Sequence, residues 1–344
     1  MTKKVGIPRA LLYYQQYPMW KTFFNELGAE VVVSPPTTKA TLAAGSARMV
    51  AETCLPTKVF AGHVLALADK ADYVFIPSIR SLERDVYNCS KFLGLPDLIR
   101  NAIPESPTIL DIEIDVNKGE KTVRREIHSL GHYFTRNPFR INRAYERALE
   151  VDRRYQALMQ SGSPLPQAIA QFQDDDTVDQ VSQQSDSPGD DGGRDPLTIA
   201  VVGHPYNIFD TYINHNLIGR LRKMGVRVVT AEMAPPGALD AGTIKLVGRP
   251  YWTYEDEVVG AAGHYLDSDV DGVLGVVCFG CGPDSMMLEV VQRAAKERRR
   301  KPFTTIVIDE HTGEAGLVTR LEAFVDMLER RRRRAKEASL APSG

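Results

Sequence analysis

Val5-Gly-Ile-Pro8 and Val202-Gly-His-Pro205 open two stretches of this chain that run through the same succession of signals. In each, a short apolar run meets glycine and proline and a helical stretch follows. A second apolar run then begins beside a glycine, as Leu27-Gly-Ala-Glu-Val-Val-Val33 in the first copy and Met224-Gly-Val-Arg-Val-Val-Thr230 in the second. Both copies go on to a strand that opens with aspartate, at Asp72 and Asp271. Strand-length apolar runs alternating with helical periodicity predict parallel sheets covered by helices. With 344 residues the chain has room for two such cores. The expected fold is therefore α/β, with two related Rossmann-like domains. Neither copy carries Gly-x-Gly-x-x-Gly after its first strand, and no P-loop is present, so a dinucleotide fingerprint is absent and any ATP chemistry belongs to a partner.

In the first copy, strands are expected at Lys4–Pro8, Glu30–Ser34, Asp72–Pro77 and Thr108–Ile112. Helices are expected from Pro18 to Leu27, with the proline in the first turn, from Pro56 to about Asp69, and from Pro96. In the second copy, Gly272–Val277 and Thr304–Ile308 read as strands. The boundaries are a first domain at 1–136, a helical connector and acidic linker at 137–196, a second domain at 197–334 and a disordered tail at 335–344. Within the linker, Gln173–Pro196 offers almost nothing apolar to bury and is expected to be disordered. Arg330–Arg334 reads as the solvated end of a helix beginning near Leu317.

Charge narrows the function classes. The balance of 42 Lys+Arg against 44 Asp+Glu leaves a net charge of −2, which gives no bulk electrostatic case for nucleic acid or a membrane surface. No apolar run approaches the roughly 20 residues that span a bilayer. Met1-Thr-Lys-Lys leads straight into a strand without a signal-peptide core, and there are only four cysteines. The expected setting is the reducing cytoplasm, where such cysteines are more often ligands or catalysts than disulfides.

Cys54-Leu-Pro56 and Cys281-Gly-Pro283 each place a cysteine two residues before proline. Proline is favoured at a helix start, so both thiols are expected on loops feeding helix N-termini, where N–H groups and the macrodipole stabilise a thiolate. Cys278 forms Cys278-Phe-Gly-Cys281 with one of them, closing an apolar strand, and Cys89 stands alone. Counting back from the aspartate-led strands puts Trp252 opposite Cys54, so the halves offer different ligands to one shared site. Spacing leaves several readings open: inert buried thiols, four thiolates on a 4Fe–4S cluster, a zinc site, or catalytic thiol chemistry. Cys278, at a strand end where a small buried hydrophobe would serve, is the weakest ligand candidate.

Five segments resemble a known family: Gly6-Ile-Pro-Arg-Ala-Leu-Leu-Tyr-Tyr14, Glu52-Thr-Cys-Leu-Pro-Thr-Lys58, Cys89-Ser-Lys-Phe-Leu-Gly-Leu-Pro-Asp97, Phe279-Gly-Cys-Gly-Pro-Asp-Ser285 and Asp309-Glu-His-Thr-Gly-Glu-Ala-Gly316. The family is that of acyl-CoA dehydratase activase-related proteins, akin to the iron–sulfur subunits of 2-hydroxyacyl-CoA dehydratases. The resemblance implies a 4Fe–4S cluster in an interdomain cleft. It also implies low-potential one-electron chemistry on an acyl-CoA, with electrons from an ATP-dependent activator protein, as lyase or reductase component. The ligand pattern carries over to Cys54, Cys89 and Cys281, with Cys278 a departure and an open fourth position. A non-catalytic electron carrier or cluster-assembly partner is the alternative, and a zinc-stabilised structural α/β protein the second.

Polar residues beside these motifs have expected supporting roles. Lys58, Lys91, Asp284 and Ser285 flank the cysteines and are candidates for tuning a bound cluster. Glu310 and His311 follow the strand Thr304–Ile308, at the sheet edge where open α/β folds bind ligands, and are candidate proton donors, with loop capping as the competing role. His63 lies on an apolar helical stretch and reads as a satisfied core histidine.

Overall fold

Asp72 and Asp271 make the same contact in the two copies. Asp72 Oδ2 accepts the backbone N–H of Lys4 at 2.8 Å, and Asp271 Oδ2 accepts that of Thr198 at 2.8 Å. Each carboxylate thus satisfies the first N–H of the strand beside its own, at the point where the third strand of the copy enters the sheet.

The computed structural model describes residues 2–173, 195–298 and 301–340. These fall into two units: the first takes residues up to 173 together with Arg249–Glu255, and the second takes 195–248 and the chain from Asp256 onward. Most of the acidic linker expected at Gln173–Pro196 lies outside the described residues.

In the first unit, β1 (Lys4–Ile7), β2 (Glu30–Val33), β3 (Tyr73–Phe75) and β5 (Thr108–Leu110) form a parallel sheet in the order β2-β1-β3-β5. A side pair, β4 (Ser78–Ser81) with β6 (Glu113–Asp115), is also parallel. In the second unit, β7 (Thr198–Val202), β8 (Arg227–Val229), β9 (Gly272–Cys278) and β10 (Phe303–Ile308) are parallel in the order β10-β9-β7-β8. Read from the second strand of each sheet, both orders run second, first, third, last. The expected α/β architecture with parallel sheets flanked by helices is present in both units.

The duplication extends to helix packing. In the first unit the Lys39–Ser46 and Leu55–Leu65 helices touch backbone to backbone: a Cβ on Gly62 would lie 2.0 Å from the Thr41 carbonyl oxygen. In the second, the Ala238–Val247 and Val259–Tyr265 helices meet in the same way, and a Cβ on Gly242 would lie 2.1 Å from the Gly260 carbonyl oxygen. Only glycine permits such an approach.

Several elements differ from the sequence reading. The first helix runs Tyr13–Glu26, so Pro18 lies inside it rather than in its first turn. An interior proline removes the N–H that would reach the carbonyl four residues back, here that of Tyr14. Tyr155 Oη, fully buried, donates to that carbonyl at 2.6 Å. Tyr155 belongs to the Pro138–Gln160 helix, part of the expected connector, which lies in the first unit and packs on the Tyr13–Glu26 helix. The last helix starts at Glu314 and continues to Leu340, past residue 334 where a disordered tail was expected; 341–344 lie outside the described residues. Among the described residues, no helix is long and apolar enough to cross a membrane.

Candidate metal centre

All four cysteines are placed by secondary-structure boundaries, and none forms a disulfide. Cys54 is the residue before the Leu55–Leu65 helix, with extended φ −61° and ψ 147°, and Pro56 occupies the first turn. Its carbonyl accepts the N–H groups of Thr57 (3.1 Å) and Lys58 (3.3 Å), and its Sγ lies 3.2 Å from Thr57 Oγ1. Cys89 likewise precedes a helical turn, Ser90–Leu93, and its N–H donates to Asn88 Oδ1 at 3.1 Å. Cys281 directly precedes the Gly282–Arg298 helix, and its carbonyl accepts both the N–H of Ser285 (3.2 Å) and Ser285 Oγ–H (2.7 Å). The expectation of helix-start positions holds for Cys54 and Cys281, and Cys89 joins them.

The element order reveals an equivalence the sequence count missed. Cys89 and Cys281 both precede the first helix after the third strand of their sheet, so they are counterparts. Cys54 precedes the helix leading to that third strand, and the residue in this place in the second unit is Val258, not Trp252. The count went astray because the second helix has 7 residues against 11 in the first. Trp252 belongs to the first unit, where it pairs with Tyr87, two residues before Cys89, and Thr253 N–H donates to the Tyr87 carbonyl at 3.0 Å.

Within the second unit, Cys278, Cys281 and Asp284 come together. Every residue of β9 is buried, and Cys278 ends it at 2 % exposure. The chain then turns sharply: Cys281 N–H donates to the Cys278 carbonyl at 3.3 Å, and Gly280, at φ 81°, holds the position that requires a positive φ. The turn delivers Cys281 to the helix start and puts Asp284 in the first helical turn, 1 % exposed. One ligand atom from each of the three residues lies within 4.8 Å of the other two.

Asp284 in turn belongs to a buried charge cluster. His204, the residue after Gly203 at the end of β7, directs Nε2 to Asp284 Oδ1 (2.9 Å) and Nδ1 to Glu257 Oε2 (2.7 Å). Burial alone would lower the pKa of His204, but Asp284 and Glu257 overcome it and hold the ring well above the ordinary histidine range. Tyr206 stacks on the ring at 5.1 Å. Nearby, burial pushes the Glu232 carboxyl up to about 7, with Glu257 adding to the effect. This cluster lies at the carboxyl ends of β7 and β9, where the strand order reverses direction; open α/β sheets bind ligands at such a point.

The other candidates separate in character. Lys58 is buried at 2 % exposure, under the start of the Cys54 helix, and Nζ donates to the Ala51 carbonyl at 2.8 Å. Lys91 is exposed. Ser285 holds the Cys281 carbonyl, as described above. Glu310 is half-buried and His311 exposed. Their loop follows Ile308, the register partner of Cys278, and is capped by Asp309, whose Oδ1 accepts the N–H of His311 (2.8 Å) and Thr312 Oγ1–H (2.9 Å). Loop capping is thus the visible role of Asp309. His63 is fully buried with Ser34 Oγ at 2.8 Å from Nδ1 and Thr37 Oγ1 at 2.9 Å from Nε2, a satisfied core histidine as expected.

Sequence reasoning passed over His204 and Glu257. The available signal was the mirrored pair itself: where the first copy reads Val5-Gly-Ile-Pro8, the second reads Val202-Gly-His-Pro205, an imidazole replacing an apolar residue at the end of a buried strand.

Residues 4–234, about two-thirds of the chain, match the family model described as the CoA enzyme activase uncharacterised domain, DUF2229. The chain belongs to this family, as the resemblance to activase-related proteins implied. The matched span includes Cys54, Cys89 and His204 and ends before Cys278, Cys281 and Asp284. No curated protein matches the chain.

Proposed function

We propose that this CoA enzyme activase-family protein is an iron–sulfur protein serving low-potential one-electron chemistry on CoA esters, with Cys54, Cys89, Cys281 and Cys278 as thiolate ligands of a 4Fe–4S cluster. The observation that carries the reading is positional. Cys54, Cys89 and Cys281 each stand immediately before a helix, and Cys89 and Cys281 are counterparts in the duplicated fold.

The donor set suits the group. The N–H groups at the starts of the Leu55–Leu65 and Gly282–Arg298 helices favour negative charge on Cys54 and Cys281. The buried Lys58 ammonium adds positive potential at the first of these helices. Ser285 fixes the Cys281 backbone through two hydrogen bonds to its carbonyl. When bound, such a cluster supplies a single electron at low potential. Glu310 and His311, in the loop beside Cys278 in register, are the groups we propose to exchange a proton with substrate.

The reading includes a dehydratase-type partner, an acyl-CoA and an ATP-dependent electron donor, since the sequence carries no P-loop. Four thiols without a disulfide suit a reducing, cytoplasmic setting. A carrier role without catalysis is the second reading, favoured by the closeness of Cys278 to Cys281, which would let four thiolates close the site.

Anaerobic reconstitution with iron and sulfide tests the proposal. The expected product is brown with about four irons and four acid-labile sulfides per chain. A colourless protein holding stoichiometric zinc and no sulfide would return the cysteines to a structural role.

A further inference from the structure

We propose that Asp284 is a metal ligand, and that Cys278, Cys281 and Asp284 form a site for one divalent transition-metal ion wholly within the second unit. This goes beyond the cluster reading, and because both use Cys278 and Cys281 the single ion and the cluster are alternative occupants of one chain.

Two independent observations point to the ion. The first is convergence: two sulfurs and a carboxylate oxygen lie within 4.8 Å of one another. Bound to one tetrahedral ion such donors stand about 3.5–3.8 Å apart, so modest closure would suffice. The second is the state of Asp284. At 1 % exposure Asp284 has His204 Nε2 at 2.9 Å from Oδ1, while Oδ2 has no hydrogen-bond partner. A buried carboxylate oxygen without a hydrogen-bond partner is costly unless something else fills its lone pairs.

The chemistry of the donors narrows the ion. Two thiolates with one carboxylate suit zinc or ferrous iron, and exclude magnesium and calcium, which take oxygen donors. Three protein ligands leave one position open. His204 and Glu257 are positioning residues: the ring, held by Glu257, fixes the Asp284 carboxylate so that an oxygen faces the two sulfurs, the usual arrangement behind a metal ligand.

The test uses the full chain carrying Cys54→Ser and Cys89→Ser, purified anaerobically and titrated with cobalt(II) as a visible stand-in, then with zinc and ferrous iron in competition. The expected result is one cobalt per chain with a thiolate-to-metal absorption band. Asp284→Asn should weaken binding by about a hundredfold and His204→Gln by about tenfold. Asp284→Cys should raise the charge-transfer band by about half, from two thiolates to three, which reports that position 284 reaches the ion. That variant also serves if Asp284→Asn fails to fold. No cobalt uptake, or uptake with a band unmoved by Asp284→Cys, overturns the inference. Wild-type reconstitution run in parallel separates the two readings: a cluster without cobalt binding in the double variant removes this site alone. Asp284-dependent cobalt binding without sulfide uptake in the wild type removes the cluster alone.

Discussion

His204 Nε2 lies 2.9 Å from Asp284 Oδ1, joining the end of β7 to the first turn of the helix that follows β9. On its other side the same ring lies 2.7 Å from Glu257 Oε2, just before the Val259–Tyr265 helix. Three segments distant in sequence are thus tied by one imidazole beside Cys278 and Cys281. Removing the ring takes away the 2.9 Å partner of the buried Asp284 carboxylate. His204→Leu should destabilise the second unit by about 3–5 kcal/mol, the range for breaking a buried ion pair from one side. Urea unfolding of the full chain checks this, and a loss below about 1 kcal/mol would show that the carboxylates re-solvate.

Cysteine replacements should sort by position. Cys54→Ala, Cys89→Ala and Cys281→Ala should each lose most of the cluster after anaerobic reconstitution. Cys278 was the weakest candidate from spacing, but its proximity to Cys281 and Asp284 predicts that Cys278→Ser also loses metal. Iron and sulfide analysis of the four variants decides; full retention in Cys278→Ser would leave it a buried strand residue.

His63 carries a pH prediction. Burial, with Arg9 adding to it, pushes its pKa down to about 3. The unfolded chain binds a proton there near the ordinary value of about 6.5, so the folded state gives up stability as pH falls below that value toward about 3. At pH 5 the loss should be about 2 kcal/mol. Comparing unfolding free energies at pH 7 and pH 5 in wild type and His63→Gln isolates it. An equal drop in both proteins would assign the effect to other groups.

Tyr155 and Pro18 should be coupled. Tyr155→Phe leaves the buried Tyr14 carbonyl without its donor, at a cost of about 1–3 kcal/mol. In a Pro18→Ala background a helical N–H becomes available to that carbonyl, so the same change should cost clearly less. A double-mutant cycle by urea denaturation measures the difference, and simple additivity would refute the account.

The duplication, the parallel α/β grammar and the helix-start positions of Cys54 and Cys281 were all legible in the chain, because they follow from local chemistry. Strand-length apolar runs, proline in a first turn and glycine at a turn act over a few residues. The aspartates before the third strands were visible too, although their bonds to Lys4 and Thr198 needed the sheet to form. Pro18 shows the limit of local reading. Its place inside a helix is tolerated because Tyr155, more than a hundred residues away, supplies the missing donor. The same limit hid the equivalence of Cys89 with Cys281 and the convergence of Asp284, His204 and Glu257. Sequence alone determined which donors this protein carries and which elements present them. Only the tertiary structure decided that Asp284 turns inward and is held by an imidazole, because a buried charge is set by partners that packing brings together and spacing along the chain does not encode.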